Sequence, residues 1–374
     1  MCLCLTPLLH PVIKDGWPTC VGHDGSWKVE AREYDTTSTS PTHLARWKER
    51  VPHTGHWNGA GRDSMLIPMK SIAPFSAPGR FWRGNLHTHS NLSDGALPLD
   101  DVVNRYKAVG YDFILMSEHF IDHFNWPIAD TRHLRGNDFT TILGAELHAP
   151  VTSAGELWHI VAAGLPLDFA PARKGESGPD IARRAMDAGA FIAIAHPSWS
   201  RYTIEDGRAL SFAHAVEIYN HGCAIENDLG EGFYLLDQLL NEGHRLTAIA
   251  TDDAHFKTPD HFGGWVHVKS ESLDPDALLT ALKAGQHYSS QGPLLNDIRM
   301  QGKQIEIETS PVDTITVVCG NSRTCVATGR AITSASFDLS RLDKGWLVEK
   351  KSPWFRVTAI DNAGKRAWSN PIWL

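Results

Sequence analysis

Beyond residue 95 the apolar positions follow one repeated order: a segment with helical spacing, a glycine, a short apolar run and an ionisable residue at its end. The order reads 97–109, Gly110, 111–116 and Ser117-Glu118-His119; then 179–188, Gly189, 190–195 and His196-Pro197; then 231–242, Gly243, 245–251 and Asp252-Asp253-Ala254-His255. A glycine after a helix supplies the left-handed residue that stops it, and a run apolar at nearly every position predicts a strand covered on both faces. Further strands are predicted at 140–145, running into Glu146, at 157–162, carrying His159, and at 215–220. A last helix starts at the Asp274-Pro275 cap and stops at Gly285. Helices alternating with buried strands predict an α/β fold, a parallel (β/α) barrel.

The segment before the first repeat brings in chemistry. Phe81-Trp82 opens a short strand, and strand alternation turns His87 and His89 of His87-Thr88-His89 to one face. Ser93-Asp94-Gly95 predicts a turn that returns a carboxylate toward the two imidazoles. A His-x-His pair alone is weak evidence of a metal. The case rests on the other ionisable residues: His119, Glu146, His159, His196, Asp253 and His255 all fall at or beside predicted strands. In a parallel barrel the strand ends open on one face, so residues distant in sequence meet there. Buried imidazoles and carboxylates without partners are costly, so their convergence predicts a shared ligand. A set of imidazole and carboxylate groups suits Zn²⁺, Mn²⁺ or Fe²⁺.

In this order, His87-Thr88-His89 with Ser93-Asp94-Gly95, His119, Gly144-Ala145-Glu146, His159, His196-Pro197 and Asp253-Ala254-His255 resemble the motifs of the PHP (polymerase and histidinol phosphatase) family over about residues 81–295. The resemblance implies a distorted seven-stranded barrel holding two or three divalent metal ions and usually hydrolysing phosphoesters. It implies His87, His89, Asp94, His119, Glu146, His159, His196, Asp253 and His255 as metal ligands, with Glu146 as the bridging carboxylate. One departure is Ser117-Glu118-His119, where the family usually has Thr-Asp-His; the ligand position is kept. The stretches Phe81-Trp82-Arg83-Gly84-Asn85-Leu86-His87 and Ala367-Trp368-Ser369-Asn370-Pro371 further resemble the branch that includes carbaryl hydrolases, which implies cleavage of a carbamate ester. A shared metal centre does not by itself specify phosphorus chemistry.

Roles divide among these residues. Glu146 is expected to bridge ions, and Asp253 to bind metal and take the proton from the attacking water. Arg201 reads either as a contact to an anionic substrate or as a solvated loop charge. Glu217 and Asn220 end a strand and read either as contacts to substrate or ligands or as barrel packing. His123 and His148 lie near ligands in sequence and allow the same two readings. Asp252 is expected to face away from Asp253.

Elsewhere the pattern weakens. Residues 1–78, with tryptophans at 17, 27, 47 and 57, predict a partly irregular N-terminal extension that includes a strand at 26–31 and a short helix from Thr42; 79–293 form the barrel. Alternating runs at 304–308, 314–318 and 354–359, with the turn Asp361-Asn362-Ala363-Gly364, predict a small C-terminal β-sandwich-like domain over 294–374. Trp346, Trp354, Trp368 and Trp373 read there as packing or as a sugar platform. A net charge of -8 argues against a broad footprint for extended nucleic acid, and no run is long and apolar enough to span a membrane. The six cysteines lack zinc-type pairing and residues 1–10 lack the pattern of a signal peptide, so a cytoplasmic protein with reduced thiols is expected, with a Cys319–Cys325 bridge across a hairpin as the alternative for an exported chain. Two or three divalent ions outweigh the carboxylates of Asp94, Glu146 and Asp253, so the expected partner is a small anionic ester. A phosphoester comes first and a carbamate or carboxyl ester second; a non-catalytic metal-bound module is the third reading.

Overall fold

A computed structural model describes residues 68–321, 323–343 and 351–374. The readings for 26–31, for the helix from Thr42 and for Trp346 lie outside the described residues. The extension's last residues do enter the fold, where Lys70–Ser71 pairs antiparallel with the strand Leu295–Gln301.

The predicted repeats become helices Leu99–Ala108, Gly178–Asp187, Phe233–Asn241 and Pro275–Lys283. Their starts are capped as their sequences dictate. Ser177 accepts from Asp180 N ahead of Gly178–Asp187, and Asp274 accepts from Asp276 N and Ala277 N ahead of Pro275–Lys283. Gly189 and Gly243, at φ 96° and 95°, turn the chain out of two of these helices, a conformation that costs any residue with a Cβ. The inward faces, such as Ile181, Ala182 and Ala185, pack on strands whose residues are buried on both sides.

The strands form two sheets. One runs in the order Thr247–Thr251, Ala215–Asn220, Phe191–Ile194, Trp158–Ala163, Gly144–Ala149 and His119–Phe120. Its pairings are parallel except at Trp158–Ala163, which is antiparallel to both neighbours. That corrects the expectation of a wholly parallel set, and the reason is local. Thr152 N donates to Glu156 O and Gly155 N to Thr152 O, so the short link 150–157 is a tight return, whereas a parallel strand needs a crossover of a dozen residues or more. His159 consequently lies at the start of its strand and still reaches the face where the other strands end.

The second sheet joins Arg80–Asn85, Phe113–Leu115 and Thr140–Ile142 to Trp265–Ser270 and His287–Ser290. It continues through Arg366–Ser369, which pairs with His287–Ser290, into the antiparallel strands Trp354–Ile360, Gln304–Cys319, Thr324–Asp338 and Leu295–Gln301. The C-terminal strands are therefore hydrogen-bonded into the same sheet as the segment that precedes His87. Trp354 and Trp368 are buried in the core shared with helix Phe233–Asn241, and Trp354 Nε1 donates to Asn241 Oδ1 at 3.2 Å. Trp373 is half-buried beneath the Arg245 guanidinium. Among the described residues no helix is long and apolar enough to cross a membrane.

Candidate metal centre

Two adjacent backbones build the centre of the cluster. The segment after Arg80–Asn85 runs beside the one after Thr247–Thr251: Thr88 bridges Ala254 in parallel, Asp253 N donates to His87 O and His89 N to Ala254 O, both at 2.9 Å. Alternation on these paired segments brings His87 and His89 against Asp253 and His255. The His89 ring stacks on His119 and His255, with centroids 4.2 and 4.4 Å away. A third segment is the turn bearing Asp94. Glu118 fastens it, accepting from Ser90 N, Ser90 Oγ and Ser93 Oγ. Gly95 lies so close to His89 that an added Cβ would come within 2.7 Å of the His89 carbonyl oxygen.

Glu146 is the hub. Strand register pairs it with His119 on one side, and it is fully buried. Its Oε1 lies 2.8 Å from His159 Nδ1, 3.1 Å from His196 Nε2 and 3.6 Å from His87 Nε2. Its Oε2 lies 2.7 Å from His119 Nδ1, 3.4 Å from His148 Nε2 and 3.8 Å from His89 Nε2. Asp253 Oδ1 is 3.0 Å from His89 Nε2 and 3.3 Å from His87 Nε2. Asp94 Oδ1 lies 3.2 Å from both His119 Nε2 and His255 Nε2, while Asp94 Oδ2 accepts from Lys257 Nζ at 3.0 Å.

All nine residues of the implied ligand set are thus gathered on one face. Their donor atoms fit metal ions for a reason beyond proximity. Glu146 Oε2, His87 Nε2 and Asp94 Oδ1 are buried without a hydrogen bond, a costly condition for polar atoms that a cation would relieve. Potential ligand atoms converge in four overlapping groups: His89, Asp94, His119 and His255; His87, His89 and Asp253; His87, Glu146 and His196; and His119, Glu146 and His148.

The electrostatics agree with that chemistry. Burial alone would raise the Glu146 carboxyl, but the surrounding imidazoles, His159 foremost, hold it well below the usual carboxylate range. Burial lowers His89, and the neighbouring His119 and His255 lower it further, which keeps a lone pair available. Glu146 and Asp94 overcome the burial of His119 and push it up to about 10, so the ring is protonated while the carboxylates face it alone, and an ion bound there takes the place of a proton. His196 and Asp253 carry positive φ angles of 21° and 56°, unusual for residues with a Cβ and typical of strain concentrated at functional sites.

No protein-family model matches the chain, and neither does any curated protein. Among solved structures it is similar to a two-domain protein of Bacteroides vulgatus described as containing a predicted PHP-like metal-dependent phosphoesterase. That likeness has 16% identity and a TM-score of 0.43, covering 81% of this chain and 95% of the other. It is also similar to an amidohydrolase of Chromobacterium violaceum solved with sulfate and no metal, at 14% identity and a TM-score of 0.35, covering 47% of this chain and 89% of the other. Both likenesses are distant, and the chemistry assigned to this chain rests on its own atoms.

Behind the ligands the other candidates separate. Glu217 is buried and committed: Oε1 accepts from Thr251 Oγ1 at 2.9 Å and lies 2.7 Å from His87 Nδ1, while Oε2 accepts from His196 N and Asn220 Nδ2. Asn220 Nδ2 also reaches Asp253 Oδ2 at 3.1 Å, and Asn220 Oδ1 accepts from Cys223 N. Both side chains therefore hold ligands in place from beneath. Arg201 is exposed on the turn after His196 and has no hydrogen bond or ion pair with the cluster among the described residues. His123 is exposed, whereas His148 is buried inside the cluster. Sequence reasoning missed the clamp made by Glu118 and also Lys257, whose position two residues beyond His255 is the pattern that could have flagged it. It missed Trp199 as well, 41% exposed and edge-on to the His159 and His196 rings.

Proposed function

We propose that the chain is a metal-dependent hydrolase of ester bonds, with a phosphoester as its favoured substrate. The sheets and helices fit a distorted seven-stranded (β/α) barrel of the PHP type extended by a β-sandwich-like C-terminal region. The observation that carries the reading is the convergence of imidazole and carboxylate ligand atoms from segments distant in sequence, with Glu146 Oε2, His87 Nε2 and Asp94 Oδ1 buried without a hydrogen bond. Two or three divalent ions, Zn²⁺, Mn²⁺ or Fe²⁺, would polarise the scissile group and lower the pKa of a water at neutral pH. His87, His89, Asp94, His119, His159, His196 and His255 would hold them with Asp253, and Glu146 would bridge. Asp253 takes the proton from the attacking water. Its Oδ1 faces the cluster, and Asn220 steadies Oδ2. Glu217 and Asn220 act by orienting ligands, and Arg201 is the candidate cation for an anionic substrate. Free thiols at Cys223, Cys319 and Cys325 fit a cytoplasmic setting.

A carbamate or carboxyl ester is the second reading. The exposed Trp199 ring beside His159 and His196, and Phe124 stacked on His119, offer apolar surface to a neutral aryl group. Phosphomonoesters, phosphodiesters and aryl carbamates assayed in parallel on one metal-loaded preparation separate the two. Phosphate release is expected to dominate; robust carbamate turnover with negligible phosphate release reverses the ranking. Protein purified without chelator that holds less than about one transition metal ion per chain, and cannot be reconstituted, defeats the metal centre altogether.

A further inference from the structure

We infer that His148 is a positioning residue that fixes the tautomer of His119, leaving His119 Nε2 free for an ion shared with Asp94 and His255. The inference rests on the metal-centre reading above. His148 is buried, and its Nδ1 lies 3.1 Å from the Trp158 carbonyl oxygen. A carbonyl oxygen only accepts, so Nδ1 carries the hydrogen, and on a ring with one proton Nε2 is left as an acceptor. That Nε2 lies 2.8 Å from His119 Nδ1, which must then donate. The relay runs one way, from His119 Nδ1–H to His148 Nε2 and from His148 Nδ1–H to the backbone.

One competing acceptor fails on geometry. Glu146 Oε2 is 2.7 Å from the same His119 nitrogen yet has no hydrogen bond, so the N–H direction is toward His148. His148 Nε2 also converges with His119 and Glu146, 3.4 Å from Glu146 Oε2, so an ion held by His148 itself is the competing reading that the Gln variant and the proton on His119 Nδ1 decide. With Nδ1 committed to His148, Nε2 is the His119 nitrogen left to an ion, and it faces Asp94 Oδ1 at 3.2 Å with His255 Nε2 equally near that oxygen. When Glu146 turns its oxygens to ions, His148 remains as the acceptor that holds the His119 ring in this orientation. Strand alternation explains why the position is available: two residues beyond Glu146, His148 points to the same face.

The test compares full-length wild type with His148→Leu and His148→Gln, with Zn²⁺ as the probe. The Gln amide can both donate to the Trp158 carbonyl and accept from His119. His148→Leu is expected to bind one ion of the set about 10- to 100-fold more weakly in chelator competition, and His148→Gln to restore it. In ¹⁵N-histidine-labelled wild type, NMR is expected to show a proton on His119 Nδ1 and a coupling across the hydrogen bond to His148 Nε2. Zn²⁺ binding by His148→Leu as tight as wild type, failure of Gln to rescue, or the lack of a proton on His119 Nδ1 each overturns the inference. Wild type that binds no Zn²⁺ defeats the metal-centre reading instead, and the NMR coupling then decides the relay alone. The same measurement decides it if His148→Leu does not fold.

Discussion

Asp252 and Asp253 are neighbours in the chain, both buried, and they serve two unlike regions. Asp252 faces a pocket in which Tyr106 Oη, Asn85 Nδ2 and the backbone N–H groups of Phe262, Gly263 and Gly264 all donate to it, at 2.7 to 2.9 Å. Asp253 faces the imidazoles, with Asn220 Nδ2 donating to its Oδ2. The pocket behind the strand end is closed by the protein's own donors. The cluster in front gathers ring nitrogens and carboxylate oxygens, of which Glu146 Oε2, His87 Nε2 and Asp94 Oδ1 are buried without a hydrogen bond. A buried carboxylate surrounded by donors holds structure together, whereas one aimed at other ligand atoms marks a place for a cation.

The strongest way to break this contrast is at the hub. Glu146→Gln is expected to lose metal and activity together, with turnover down at least about a hundred-fold and ion content down by elemental analysis. Retention of both would remove Glu146 from the centre. Asp253→Asn should separate the two quantities, keeping most of its ions while turnover falls about 100- to 10,000-fold, the range of a lost general base. Wild-type turnover in the metal-loaded variant rejects the proton-transfer role. On the other side of the same strand end, Asp252→Ala takes the acceptor from Tyr106 Oη and from the N–H groups of Phe262, Gly263 and Gly264, while Asn85 Nδ2 keeps Thr88 and Tyr106, and is expected to cost about 3 kcal/mol in denaturant unfolding. Its ion content per folded chain should match wild type; loss of ions at full stability would merge the two regions.

His287 sharpens the criterion, because among the described residues it is buried with neither ring nitrogen hydrogen-bonded to a side chain, yet it belongs to no convergent group. Burial lowers it to about 4. An unfolded histidine has a pKa near 6.5, so between these values the unfolded chain binds the extra proton. The stability that a neutral His287 allows is therefore complete above about pH 6.5 and lost as pH falls toward 4, at about 1.4 kcal/mol per pH unit. Unfolding midpoints measured from pH 7 to 4.5 are expected to slope less in His287→Phe than in wild type, and an identical slope would refute the assignment.

Much of this was legible in the chain because local rules produce it. The Ser177 and Asp274 caps, the glycines at 189 and 243 and the two-residue spacing of His87 and His89 each act through their nearest neighbours. The partners of Glu217 were not legible. A carboxylate at a strand end suits substrate, ligand or packing equally, until folding brings Thr251, His87 and His196 to its oxygens. His148 was ambiguous for the same reason, since its meaning depends on a carbonyl ten residues away across a hairpin.

The amino-acid sequence by itself determined the helices and their stops, the buried strands, and the supply of imidazoles and carboxylates at the strand ends, because period, capping and turn chemistry operate within a few residues. Only the tertiary structure decided that Trp158–Ala163 runs against its neighbours, that the C-terminal strands join the sheet beneath His87, and that Glu146 rather than Glu217 stands among six imidazoles. Those outcomes depend on which backbones lie side by side, and strand pairing between distant segments is set by the packing of the whole core.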